Sequence, residues 1–296
     1  MMLTRRLFTG LTAAAAAGLP LMSAEAQRIL VHGHRGARAR RPENTIPAFR
    51  YAIEQGVDFL ELDVAVTKDG VAVVSHDPHI NPVICSGPGV SPDPKADPTP
   101  VIAIHDLTLT QLREYDCGAK QNPLFPTQMP VPGTHVPTLD EVFALGKGNA
   151  VRFNVETKIF ADHPELTPGP EPFTQMILDL ARRHDLTRRV ILQSFDPRTL
   201  VAMKKLDPSI PRVALIETDR PWDEVAREFV ANDISPDYHL VTKERVAWAH
   251  QNGIQVVPWT VNKPEDWARL VDAGVDGIIS DDPAPLIAWL KSRGLR

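Results

Sequence analysis

Eight short apolar runs, each leading toward a stretch that reads as an amphipathic helix, constrain the fold of this 296-residue chain more than any single residue does. The runs are residues 29–33, 58–64, 151–156, 190–194, 212–216, 238–241, 254–259 and 277–280. The helical stretches are residues 48–55, 139–145, 173–184, 198–206, 222–230, 243–251, 264–273 and 285–291. A short apolar run suits a strand covered on both faces, which is the situation of parallel strands beneath helices. Several helices carry boundary signals: Thr138 with Glu141, Asp196-Pro197 and Asn262-Lys263-Pro264 at the starts, and Gly56, Gly253 and Gly274 at the ends.

Strict alternation of this kind predicts an α/β fold, and its eightfold repetition favours a TIM (β/α)8 barrel over an open doubly wound sheet. The open sheet keeps its case at the weakly patterned run 238–241. Two segments interrupt the repeat. Thr67-Lys68-Asp69-Gly70 followed by residues 71–75 reads as a hairpin appended to the second strand. With Asp69 and Gly70 in a two-residue turn, Lys68 faces Val71 and Asp63 faces His76, so carboxylate and imidazole share one side. Residues 78–137 are rich in Pro and Gly apart from a helix expected over 110–115. That is too long for a structureless loop, so a small inserted subdomain after the second strand is expected. Lying between a strand and the next helix, it falls on the face where barrel enzymes keep their sites.

Residues 1–26 read as an export signal peptide. Thr4-Arg5-Arg6-Leu7-Phe8 supplies a twin-arginine start, residues 11–22 an Ala-rich apolar core, and Ala24-Glu25-Ala26 a small-x-small cleavage site. General export signals also carry arginine pairs, but Arg5-Arg6 favours the twin-arginine route. The apolar core is too short for a good membrane span, and no later uncharged stretch reaches membrane length, so no stable membrane insertion is expected and the mature protein should be periplasmic or secreted. Residues 27–296 then have the length of one barrel domain. The formal charge is −5, and one unit more negative without Arg5, Arg6 and Glu25; a mildly acidic product lacks the basic excess of a nucleic-acid binder. Cys85 and Cys117 are the only cysteines, and export leaves both a disulfide and two poorly exposed thiols open.

The chemistry concentrates early. His34-Arg35-Gly36, Pro42-Glu43-Asn44-Thr45, Glu61-Leu62-Asp63 and His76-Asp77 bring two histidines, an arginine and paired carboxylates to the ends of short apolar runs. That combination suits metal-assisted cleavage of a phosphate ester. Glu61 and Asp63 sit within the apolar setting of residues 59–64, where an unpaired carboxylate is costly. A histidine titrating near ~6.5 suits proton transfer near neutrality.

With Thr67-Lys68-Asp69-Gly70, Asn154-Val155-Glu156-Thr157-Lys158, Gln193-Ser194-Phe195, Trp259-Thr260-Val261-Asn262 and Gly274-Val275-Asp276-Gly277-Ile278, these motifs make the chain resemble the glycerophosphodiester phosphodiesterase family over residues 29–283. His-Arg-Gly alone is a weak signal; the ordered series is a strong one. The resemblance implies a TIM barrel with an insertion after the second strand. It also implies hydrolysis of a small-molecule glycerophosphodiester to sn-glycerol 3-phosphate and a free alcohol. By matching position, Glu61, Asp63 and Glu156 would bind one divalent cation, with His34 as catalytic base and His76 as leaving-group acid. An all-oxygen set suits Ca2+ or Mg2+ better than zinc. The family mechanism is thought to use the substrate's own glycerol hydroxyl as nucleophile, through a cyclic phosphate; direct attack by water stays open.

Arg35 and Lys158 are candidate ligands for phosphate oxygens, with ion pairs to the metal-site carboxylates as the plainer alternative. Phe195 and Trp259 end barrel strands and are candidates for lining the alcohol pocket, or for core packing. Glu43 is a candidate support for the site, although Pro42-Glu43-Asn44-Thr45 also reads as the start of a helix. His32, His79 and His105 fall outside the pattern and read as structural or solvated. Thr157 stands where the family more often has an apolar residue, a change expected on the outward face. The basic run Arg38, Arg40 and Arg41 reads as a solvated face or as a preference for anionic head groups. Two alternatives accompany this reading. One is a phospholipase C-like or D-like enzyme acting on intact lipids; the other is a noncatalytic solute-binding barrel, which would not need an acid-base pair.

Overall fold

The computed structural model describes residues 28–91 and 101–296; the expected export signal lies outside the described residues. The strands are β1 (Leu30–Gly33), β2 (Phe59–Val66), β3 (Ala72–Val74), β4 (Arg152–Thr157), β5 (Val190–Ser194), β6 (Arg212–Ile216), β7 (Asp233–Pro236), β8 (Gln255–Val256) and β9 (Gly277–Ser280). The helices are α1 (Ile46–Gln55), α2 (Leu109–Leu112), α3 (Leu139–Ala144), α4 (Pro170–Arg183), α5 (Pro197–Leu206), α6 (Trp222–Glu228), α7 (Lys243–Gln251), α8 (Pro264–Ala273) and α9 (Pro283–Lys291). Eight parallel strands run in the order β8-β7-β6-β5-β4-β2-β1-β9, and β3 adds antiparallel to β2. The ends of this order meet: the Asp276 amide donates to Val256 O and the Ile279 amide to Pro258 O, each at 3.0 Å. The sheet is therefore a nearly closed (β/α)8 barrel, and the open-sheet alternative is excluded.

Alternation along β2 divides its labour. Leu60, Leu62 and Val64 are fully buried in the core that also holds Phe49 of α1 and Val142 and Phe143 of α3. Glu61 and Asp63, one step out of phase, face the barrel mouth. Helix boundaries follow local chemistry. Thr138 and Glu141 form a reciprocal capping box on α3, and the Asp196 side chain accepts from Arg198 N at the start of α5. Asn262 is a correction: Lys263 occupies the cap of α8 without a side-chain hydrogen bond, and Asn262 is spent on Ser280 and Asp281.

Three further expectations are revised. The strand expected over 238–241 is β7, Asp233–Pro236, and Tyr238–Leu240 is a 3-10 turn. Asp233-Ile234-Ser235-Pro236 lacks an apolar pattern, and the strand forms through its neighbours: β6 and β8 flank it and Ser235 Oγ donates to Val257 O at 2.5 Å. The hairpin turn holds three residues rather than two. Thr67 N donates to Val71 O, Gly70 adopts φ 75°, and Val64 pairs with Val74, so Ser75 rather than His76 answers Asp63. β3 ends at Val74, so the strand alternation does not decide where His76 points, and the side chain still reaches the mouth. The helix in the insertion is shorter than expected, Leu109–Leu112.

The insertion has a core of its own in which Ile80, Ile104, Leu112, Tyr115 and Val136 surround a Cys85–Cys117 disulfide and pack on Ala65 and Val73 of the hairpin. It is tied to the loop after β1: the buried Gln128 side chain donates to Arg38 O (2.6 Å) and Arg41 O (3.2 Å), and the Met129 amide donates to Arg40 O. Among the described residues no helix is long and apolar enough to cross a membrane.

Candidate active site

The C-terminal ends of the strands surround a cavity of about 160 Å³. It collects His34, Arg35, Glu61, Asp63, His76, Glu156, Lys158, Phe195 and Trp259 from across the chain. Of the other candidates, Glu43 lines an adjacent smaller cavity with His76, Cys85 and Cys117.

The turn after β1 sets the first wall. Arg35 and Gly36 both take left-handed backbone (φ 49° and 84°), and a Cβ on Gly36 would lie 2.7 Å from Ala48 C, so only glycine lets the turn press against α1. This turn aims the Arg35 amide at Glu61 Oε2 (2.9 Å) while its guanidinium meets Glu43 Oε1 (2.7 Å) and lies 3.6 Å from Asp63 Oδ2. Asn44, also left-handed (φ 55°), donates to Asp63 Oδ2 at 2.9 Å, and Thr45 caps α1. Pro42-Glu43-Asn44-Thr45 thus serves both as helix start and as support for the site.

Registry supplies the second wall. Asp63 of β2 pairs with Glu156 of β4, and Glu156 pairs with Gln193 of β5. Oxygen atoms of Glu61, Asp63 and Glu156 lie within 4.8 Å of one another, and all three residues are buried. Lys158 Nζ bridges Glu156 Oε1 (2.7 Å) and Asp63 Oδ1 (3.3 Å), so the ion-pair reading of Lys158 and Arg35 holds while both also line the cavity. Burial, with Asp63 and Glu156 alongside, pushes the Glu61 carboxyl well above the usual range. Glu156 is pushed up to about 7, chiefly by burial and against the pull of Lys158. Against the upward push of burial, Lys158, then His76 and Arg35, hold Asp63 well below the usual range. Three crowded, buried carboxylates form a hard, all-oxygen donor set whose mutual repulsion a divalent cation would relieve.

The two histidines flank this cluster. His34 Nδ1 lies 2.6 Å from Asp281 Oδ1, and its Nε2 lies 3.9 Å from Glu61 Oε2. Burial lowers its pKa to about 4, against the upward pull of Asp281. The His76 Nδ1 lies 2.9 Å from Asp77 Oδ1, and Asn81 fixes the other oxygen of that carboxylate. Phe195, about two-fifths exposed, stands edge-on to Trp259 with ring centroids 5.6 Å apart. Trp259 is anchored by its indole N–H on Ser235 O.

Four residues that contact the cluster were given no role in the sequence reading, although three of them, Asn44, Gln193 and Asn262, stand in its motifs; the fourth is Asp281. Asp281 directly follows β9, and an acid at the C-terminal end of a barrel strand was the available signal. The basic run is not an open solvated face: Arg38 pairs with Asp281, Arg40 with Asp282, and Arg41 lies over the Tyr51 ring. Thr157 faces outward as expected and meets Thr199 of α5 at 2.8 Å. His32 is buried inside the barrel, 4.2 Å from the Phe59 ring, and burial lowers its pKa to about 3.

A nearly closed barrel with carboxylates, imidazoles and fixed cations gathered at its C-terminal mouth defines a (β/α)8 barrel enzyme equipped for phosphate ester chemistry. Comparison with known proteins makes the class specific. The model of the glycerophosphoryl diester phosphodiesterase family matches residues 34–285, and the chain belongs to that family of phosphoric diester hydrolases. It is 34% identical over 269 residues to a glycerophosphodiester phosphodiesterase of Caldanaerobacter subterraneus subsp. tengcongensis, covering 90% of this chain and all of the relative. A glycerophosphodiester phosphodiesterase of Bacillus subtilis is 32% identical, over 86% of this chain and 84% of its own. A crystal structure from Silicibacter pomeroyi superimposes with a TM-score of 0.83 at 29% identity, covering 90% of this chain and 95% of that one. A phosphodiesterase of Oleispira antarctica, solved with the product sn-glycerol-3-phosphate, shares the fold with a TM-score of 0.73 at 22% identity, over 88% and 96%.

Proposed function

We propose that this enzyme is an exported, divalent-metal-dependent hydrolase that converts small glycerophosphodiesters to sn-glycerol 3-phosphate and a free alcohol. The observation that carries the reading is the single cavity in which three buried carboxylates, two imidazoles and two fixed cations converge. Glu61, Asp63 and Glu156 would hold one Ca2+ or Mg2+, which when bound supplies Lewis-acid polarisation of the phosphoryl group. Arg35 and Lys158 offer positive charge to the other phosphoryl oxygens, and their carboxylate partners keep both side chains in place. His34 takes the proton of the nucleophile, a glycerol hydroxyl or a water, at Nε2. His76 returns a proton to the departing alkoxide. Phe195 and Trp259 form an apolar wall for the organic part of the substrate. The product-bound Oleispira antarctica phosphodiesterase supports the same product here. The leader of residues 1–26 supports a periplasmic or secreted site of action.

The test is a panel of glycerophosphocholine, glycerophosphoethanolamine, glycerophosphoglycerol and glycerophosphoinositol, with intact phosphatidylcholine alongside. Glycerol 3-phosphate release is measured with and without chelator, followed by Ca2+ or Mg2+ add-back. Release from the deacylated diesters that stops on chelation and returns with one cation is the expected result. Turnover in metal-free enzyme, or turnover of intact lipid alone, would overturn the reading.

A further inference from the structure

We propose that Asp281 is a positioning residue that holds the proton of the neutral His34 imidazole on Nδ1 and leaves Nε2 as the free base nitrogen. The inference deepens the reading in which His34 is the catalytic base, and rests on it.

The two residues are separated by 247 positions and meet because β1 and β9 are neighbours. The registry pairs Gly33 with Ser280, and the His34 amide donates to Ser280 O at 2.9 Å, so the residues that follow emerge side by side at the mouth. There His34 Nδ1 and Asp281 Oδ1 are 2.6 Å apart; the other polar neighbour of Nδ1, Thr260 Oγ1, is at 3.5 Å and competes poorly at that distance.

The direction of the short bond follows from the partners of the carboxylate. Arg38 Nε donates to Oδ1 at 2.5 Å and Arg38 Nη2 to Oδ2 at 3.3 Å. Asn262 Nδ2 donates to Oδ2 at 2.8 Å. The Asn262 amide is itself oriented, because its Oδ1 accepts from the Asp281 backbone N–H (2.9 Å) and from Ser280 Oγ (3.0 Å). Guanidinium and amide N–H groups donate and cannot accept, so both oxygens already accept hydrogen bonds, and the Arg38 charge paired with Asp281 keeps the carboxyl ionised, with no proton of its own to give. The ring nitrogen that faces Oδ1 must therefore be the donor. A neutral imidazole carries one N–H, so Nε2, on the cavity side, is left with its lone pair. The loop bearing Arg38 is in turn held by Gln128 of the insertion, which gives the inserted subdomain a part in keeping this geometry.

The experiment uses metal-loaded enzyme labelled with 15N-histidine at about pH 8, where an ordinary imidazole is neutral. Long-range 1H–15N correlation reads the protonated ring nitrogen of each histidine, and His34→Ala identifies the His34 signals. In the wild type, His34 should be protonated at Nδ1 and bare at Nε2. In Asp281→Ala and Asp281→Asn the signals should move toward the Nε2-protonated form. Their kcat should fall about a hundredfold, the scale of general-base catalysis, with KM and cation affinity changed less than about threefold. Added to His34→Ala, Asp281→Ala should cost little further activity, because it acts through the ring already removed. A wild-type His34 protonated at Nε2 overturns the proposal, and so do variants that keep the wild-type tautomer. An equal loss in the His34→Ala background also overturns it, since that would mark a merely structural carboxylate. Wild-type enzyme that cleaves no glycerophosphodiester counts against the proposed function, while the tautomer measurement still decides the role of Asp281.

Discussion

Gln193 Nε2 lies 2.7 Å from Glu61 Oε1, and this contact begins a polar chain through the barrel interior. Gln193 Oε1 accepts from Asn154 Nδ2 at 2.8 Å, and that amide nitrogen is 3.4 Å from His32 Nδ1. Side chains of β5, β4 and β1 thus support one carboxylate of β2 in the proposed cation site without adding a neighbouring carboxylate or cation.

Removing that support should loosen the cation before it harms the fold. Gln193→Ala is expected to weaken Mg2+ or Ca2+ affinity by about 10-fold or more, the usual scale for outer partners of metal ligands. Isothermal titration of the apo variant checks this. Wild-type affinity in a variant that folds would mean that Glu61 keeps its position unaided.

The division of labour between the histidines should show in leaving-group dependence. A nitrophenolate needs protonation on departure far less than choline or ethanolamine does, so His76→Ala should lose much less activity on a nitrophenyl diester than on natural substrates. His34→Ala removes the base that prepares the nucleophile and should impair both substrates alike. Kinetics of metal-loaded variants decide: rescue of His34→Ala by the activated substrate would exchange the two roles.

The Cys85–Cys117 disulfide spans a sequence separation of 32 and lies within the insertion core. Closing a loop of that size stabilises by about 2–4 kcal/mol through the unfolded chain. Cys85→Ser with Cys117→Ser should therefore make the insertion sensitive to protease well before the barrel unfolds. Because Gln128 ties the insertion to the loop of Arg38, catalytic efficiency should fall with it. Unchanged proteolysis in the double variant would show that the small apolar core suffices.

Asp233 offers a pH-dependent test of stability away from the site. Burial, with Asp276 adding to it and the Gln255 amide opposing, pushes its carboxyl up to about 6. The unfolded chain releases this proton near pH ~3.9. Between these values the folded state binds more protons, so stability falls as pH rises through the window, by on the order of 3 kcal/mol, and the cost is complete only well above the folded-state value. Asp233→Asn keeps an oxygen for the Gln255 amide without the charge. It should raise Tm at pH 8 by about 2–5 °C, with the gain fading toward pH 4. An equal gain at both pH values would point to packing instead of charge.

The barrel was legible in the sequence because parallel strands buried on both faces must be apolar and helices that cover them must be amphipathic. Seven of the eight strands were located by that pattern. β7 escaped it because Ser235 and Pro236 are accommodated by their neighbours β6 and β8, a reason that is not local. The carboxylates and histidines were legible for a related reason: charged groups at the ends of apolar runs stand out against their surroundings. Whether Thr67 or Lys68 closes the hairpin was not, since turn length depends on the left-handed Gly70 and on how the insertion rests against β3.

Sequence by itself determined the kinds of groups available and the strand ends that carry them. Tertiary structure decided which groups act on one another. His34 and Asp281 become partners only when β1 pairs with β9, and Gln193 reaches Glu61 only across β4. Arg38, a charge on an apparently open surface in the sequence, is consumed by Asp281 once the two strand-end loops are brought together. The physical reason is that a hydrogen bond is settled within a few tenths of an ångström. Strand registry around a closed barrel fixes positions on that scale, and the spacing of residues along the chain does not.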